Sequence, residues 1–200
     1  MTTVIPSVTT NTEKYLSYKE HMTRLNKARA GGFYLEAIFI LYAMMEDRLS
    51  AFLYYAGVTN KTREKVTSTK KVRPHLNQTF STQGANLRMI SKKMGLIKTM
   101  IAWSDGYTPV DKSRDYLDVL CRQVQSTAHR DEIIGTLEGI EAWCKRRNQL
   151  VHALLSKKVE NQEELLIELV ETGLQHNRKL DSFICSFKVR NNIRGQFNIQ

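Results

Sequence analysis

Apolar positions recur along this chain at three- and four-residue spacing, the period of a helix buried on one face, and hardly ever in the alternation of a half-buried strand. The first such segment covers about residues 12–30, with Tyr15, Met22, Leu25 and Ala28 among its apolar positions, and Gly31-Gly32 ends it. The second, about residues 33–56, is apolar nearly all round. Leu35, Ile38, Phe39, Leu41, Met45, Leu49 and Phe52 leave it no fully polar face, which places it at the centre of a bundle. Glu36 and the run Glu46-Asp47-Arg48 interrupt it, so it never reaches the roughly 20 apolar residues of a membrane span. Helical periodicity returns at about residues 85–103, 111–125, 131–155 and 162–187, with Ser104-Asp105-Gly106 and a polar break near 156–161 as stops. The pattern predicts an all-α bundle of five to six helices.

Two stretches fall outside the pattern. Residues 58–83 turn polar and basic, with Lys61, Arg63, Lys65, Lys70, Lys71 and Arg73 ahead of Pro74, and read as one long connection. Its six cations suit a phosphate backbone, and equally a solvated loop. Residues 191–200 read as a flexible tail. The organisation expected is therefore an N-terminal arm and helix through residue 30, a bundle over 31–190 and the tail.

Composition narrows the function. The chain has 200 residues and a formal net charge of +10, which implies a polyanionic partner: RNA, DNA or anionic lipid. Cys121, Cys144 and Cys185 are far apart, without a C-x-x-C pair, and the first dozen residues lack the basic start and apolar core of a signal peptide. Both point to a cytoplasmic protein with reduced thiols. His21, His75, His129 and His176 lack zinc-ligand spacing, and no phosphate loop or nucleophile elbow is present. Neither a metal nor a cofactor is expected.

The fifth segment holds the one conspicuous irregularity. With about 100 degrees per residue, Ile133, Leu137, Ile140, Cys144, Val151 and Leu155 fall within about 40 degrees of one line. Arg147 and Asn148 stand where that stripe continues, and His152, Glu141 and Lys145 share the adjoining flank. Burying an unpaired guanidinium costs several kcal/mol. Two accounts of Arg147 stand: an ion pair, with Glu46 or Asp47 of the central helix or with Glu141 as its partner, or a phosphate site.

The string Arg147-Asn148-Gln149-Leu150-Val151-His152 resembles the signature of the HEPN family, an Arg followed by a polar residue, with four to six residues between Arg and His. Spacing alone is weak: Arg122 and His129 also satisfy it, although Gln123 replaces the Asn and the pair straddles a helix end near Ser126. The adjacent Asn148, the continuous helix and the broken stripe single out the Arg147 motif. The resemblance implies a HEPN-like helical fold and metal-independent RNA cleavage by a homodimer. It implies His152 as the proton-transfer group, Arg147 as the holder of phosphorane charge and Asn148 as the orienter of His152 or a phosphate oxygen, with Glu46, Glu141 and Lys145 in support. Arg146 and the six loop cations would extend the RNA surface. A toxin or antiviral-defence role, restrained by an inhibitory protein or RNA, follows by analogy. The rival reading is a non-catalytic basic module that binds RNA or a partner protein.

Overall fold

Each apolar stripe closes into a helix in the computed structural model, which describes residues 11–60, 63, 65–127, 129–156, 161–190 and 192–199. Among the described residues the helices are α1 (Asn11–Ala30), α2 (Tyr34–Tyr55), α3 (Arg73–Phe80), α4 (Ile90–Gly106), α5 (Tyr116–Gln125), α6 (Arg130–Ser156), α7 (Gln162–Arg190) and the single turn α8 (Ile193–Gln196). The all-helical expectation holds. The count of five to six does not, because α3 and α8 form in the two stretches that lack a long periodic pattern.

Helix α2 is central: it packs most extensively on α7 and also on α1 and α4, while α6 packs on α7 and α4. Its Phe52 ring stacks on Phe183 and meets Phe187 of α7 at centroid distances of 5.3 and 4.4 Å. Helix α1 joins the bundle through buried Leu25 and Ala28, and Asn177 of α7 donates to its Tyr18 hydroxyl at 3.0 Å. Helices α6 and α7 approach closely where small residues permit. Gly173 of α7 has Trp143 Nε1 3.0 Å and Leu41 Cδ1 3.1 Å from where a Cβ would lie, and the Trp143 indole N–H donates to the Leu169 carbonyl at 2.7 Å.

The basic stretch is not one long loop. Thr59 and Val66 pair in an antiparallel bridge, and α3 then buries Leu76 and Phe80, four residues apart, with Phe80 edge-on to Trp103 of α4. Two buried side chains on one face stabilise eight residues of helix that propensity alone would not. The expected tail likewise packs. Ile193, Phe197 and Ile199 are buried, and Arg194 donates to the Thr59 and Ile199 carbonyls at 2.8 and 3.0 Å while lying 3.8 Å from the Tyr54 ring centroid. Gly57, at φ +76°, admits this segment: a side chain there would strike Ile199 and strain the left-handed backbone.

At the α6–α7 contact, His176 occupies the space left by Gly139. Burial, aided by the nearby Lys179 charge, lowers its basicity below the ordinary value of 6.5. The unfolded chain therefore takes up this proton first as pH falls, so the stabilisation is complete above about pH 6.5 and is lost below it. Urea midpoints at pH 7.5 and 5.5 test this: the drop is expected to shrink in His176→Gln, and an equal drop in both proteins excludes the assignment.

Candidate functional site

The motif lies in the C-terminal half of α6, near Tyr42 and Glu46 of α2 and Lys93 and Lys98 of α4. Ile133, Leu137 and Ile140 are buried as the phase requires, but further along the core positions are Trp143 and Leu150, and Cys144 and Val151 are only half-buried. Arg147 thus sits between two core side chains, four residues after Trp143 and three before Leu150. It is half-buried, while Asn148 and His152 are exposed.

None of the three carboxylates proposed as its partner holds Arg147; Asp47 accepts from Arg63 Nη1 at 2.8 Å. Glu46 accepts from Lys93 Nζ at 2.8 Å and Glu141 from Lys98 Nζ at 2.9 Å. The reason is steric order: α4 packs against both α2 and α6, and its lysines reach the two acids first. Lys93 is itself buried, so its ammonium needs Glu46 more than the half-exposed guanidinium does. Glu46→Ala is expected to cost about 2 kcal/mol in urea unfolding, less than for a fully enclosed pair because Glu46 is partly wet. A cost below about 0.5 kcal/mol would mean that water replaces the carboxylate.

Arg147 has two other contacts. Its guanidinium carbon lies 4.1 Å from the Tyr42 ring centroid, and Nε and Nη2 both donate to Asn148 Oδ1, at 3.1 and 2.6 Å. Such a stack contributes about 1 kcal/mol and fixes the guanidinium plane. Two of five N–H donors are engaged by Asn148, and among the described residues no carboxylate lies within 4 Å of the group. The remaining donors suit a bidentate oxyanion. Asn148 therefore orients Arg147 through its carbonyl oxygen.

Burial raises the Tyr42 hydroxyl pKa above its ordinary 10, as does Glu46, with Arg147 opposing, so Tyr42 stays a neutral phenol near neutrality. Burial also pushes the Cys144 thiol up, against Arg147, which keeps it from serving as a thiolate. Tyr42 is the contact that sequence reading missed. Its signal was present as Tyr42 and Glu46, one turn apart on the central helix.

No protein-family model, curated protein or solved structure matches this chain. The functional reading therefore rests on its own residues.

The remaining candidates divide. Lys145, Lys65, Lys70, Lys71 and Arg73 are exposed, whereas Arg63 pairs with Asp47 at 2.8 Å and Arg146 forms a two-pronged pair with Glu168 of α7, both bonds 2.6 Å. The Arg146–Glu168 pair is exposed at both ends, and pairs so exposed add little to stability. Lys61 lies outside the described residues. Among those residues no cluster of three or more His, Cys, Asp or Glu side chains is arranged to hold a metal ion, and no helix is long and apolar enough to cross a membrane.

Proposed function

We propose that this protein is a HEPN-type endoribonuclease that cleaves RNA without metal. The observation that carries the reading is the state of Arg147, a half-buried guanidinium oriented by Tyr42 and Asn148, with no carboxylate among the described residues neutralising it. In the proposed reaction His152 removes the proton of a ribose 2′-hydroxyl and the oxygen attacks the adjacent phosphorus. Arg147 holds the charge that builds on the non-bridging oxygens, and the 5′-oxygen leaves as its bond to phosphorus breaks. The products are a 2′,3′-cyclic phosphate and a 5′-hydroxyl. Arg147 and His152 lie about 140 degrees apart around α6, so a second copy of the motif across a twofold axis supplies the group that returns a proton to the leaving oxygen. A defence or toxin role under an inhibitory partner fits such an activity.

Purified protein incubated with mixed RNA and a chelator tests this. Expected are cyclic-phosphate ends, an uncut DNA copy and a loss of about 100-fold or more in His152→Ala. Undiminished cleavage by that variant sinks the mechanism. Exposed Lys65, Lys70 and Lys71 favour a second reading, a basic module that binds RNA without cutting it. Salt-sensitive RNA binding with no cleavage by the wild type selects it.

A further inference from the structure

The basic stretch after α2 turns back on itself and reaches along that helix toward the motif. Its two arms meet at the Thr59–Val66 bridge, where the Asn60 amide donates to the Lys65 carbonyl at 2.9 Å and the Thr67 amide to the Val58 carbonyl at 2.8 Å. Two arginines hold this turn onto one ring near the end of α2. The Arg194 guanidinium carbon lies 3.8 Å from the Tyr54 ring centroid, and that of Arg63 lies 5.1 Å from the same centroid. Arg63 reaches on to Asp47, which stands seven positions before Tyr54, about 10 Å back along α2, and five after Tyr42.

Arg194 joins three points of the backbone. Its Nη1 donates to the Tyr54 and Thr59 carbonyls at 3.3 and 2.8 Å and its Nη2 to the Ile199 carbonyl at 3.0 Å, and among the described residues no carboxylate pairs with it. Half-burying a cation that meets only carbonyls costs desolvation that a neutral donor would avoid, so the position calls for a use of its reach and charge. The turn it anchors carries exposed Lys65, with exposed Lys70 and Lys71 just beyond. We propose that Arg194 is a positioning residue for RNA: by fixing the base of this turn it holds Lys65, Lys70 and Lys71 where the phosphate backbone of a strand lying at the motif crosses them. The assignment rests on the reading of the motif as an RNA site. Cations already fixed in place meet phosphates without the entropy loss of ordering a loop, so the effect falls on binding and not on the chemical step at Arg147 and His152.

Fluorescence anisotropy at low salt with a labelled 2′-O-methyl dodecanucleotide, which lacks the attacking hydroxyl, measures binding, and cleavage of the matching RNA gives kcat and KM. Hydrogen exchange at the Asn60 and Thr67 amides reports on the turn itself. Arg194→Met keeps the apolar stem and loses the donors. Expected are faster exchange at both amides, RNA binding about five-fold weaker, KM raised in proportion and kcat within about two-fold of wild type. Arg194→Gln, which keeps one donor for the Thr59 carbonyl, takes its place if the thermal midpoint shows Arg194→Met to be unfolded. Lys65→Ala/Lys70→Ala/Lys71→Ala, confined to exposed side chains, is expected to weaken binding about ten-fold or more. Adding the Arg194 substitution to this triple variant is expected to change binding by less than about two-fold, because Arg194 acts through those lysines. Faster exchange with unaltered affinity marks a purely structural Arg194 and overturns the proposal. So does unaltered binding by the triple variant, or a full further loss on combining the substitutions, which marks direct contact of Arg194 with RNA. Binding that follows the expected pattern without any cleavage by the wild type counts against the ribonuclease reading alone; no RNA binding by the wild type removes both.

Discussion

Arg147→Ala is expected to lower RNA cleavage by about 100- to 1000-fold, the range for removing one oriented donor from a developing oxyanion, while shifting stability by only about 1 kcal/mol. The two magnitudes separate because Arg147 is tied to the fold by a ring face and one amide oxygen rather than by a buried ion pair. Arg147→Lys should recover little of the activity. An ammonium keeps the charge but has neither the plane that stacks on Tyr42 nor the fork that spans two phosphate oxygens. Tyr42→Phe, which keeps the ring, should retain most of the rate, and Tyr42→Ala should lose much of it. Cleavage rates for the four variants, with thermal midpoints, check the argument; a fully active Arg147→Ala with RNA-specific products would remove Arg147 from the mechanism.

The largest loss of stability is expected for Trp143→Ala, about 3–5 kcal/mol. Trp143 is almost wholly buried at the α6–α7 crossing, against Gly173, and its indole N–H is bonded to the Leu169 carbonyl. Truncation removes a large apolar area, and close-packed helices relax only partly into the space left. Trp143→Phe should cost about 1–2 kcal/mol, since the Leu169 carbonyl keeps its helical bond and only part of the ring is lost. Urea unfolding distinguishes the two. Trp143 is one turn from Arg147, so the alanine variant should also lose cleavage through displacement of α6, a loss that Trp143→Phe does not share.

These variants probe features of different legibility. The buried faces of α2, of the first half of α6 and of α7 follow from residue order alone, because 3.6-residue periodicity is a local property and burial of Ile133, Leu137 and Ile140 needs only some neighbour, not a particular one. Helix α3 and the packed segment 192–199 were not legible. Leu76 with Phe80, and Ile193 with Phe197, are too short as patterns to signal a helix, and their burial depends on Trp103, Gly57 and Tyr116, which are distant in sequence.

The motif shows the same division. Residue order determined that Arg147, Asn148 and His152 share one helix and that a charge interrupts a buried stripe. It could not determine what meets that charge, since Glu46, Glu141, Lys93, Lys98 and Tyr42 come from three helices and several pairings satisfy charge balance equally well. The tertiary structure decided it: α4 brings two lysines to the two acids, leaving Arg147 to the face of Tyr42. Charge pairing is a long-range, pairwise choice among groups brought together by packing, and helical phase carries no information about the partner helix.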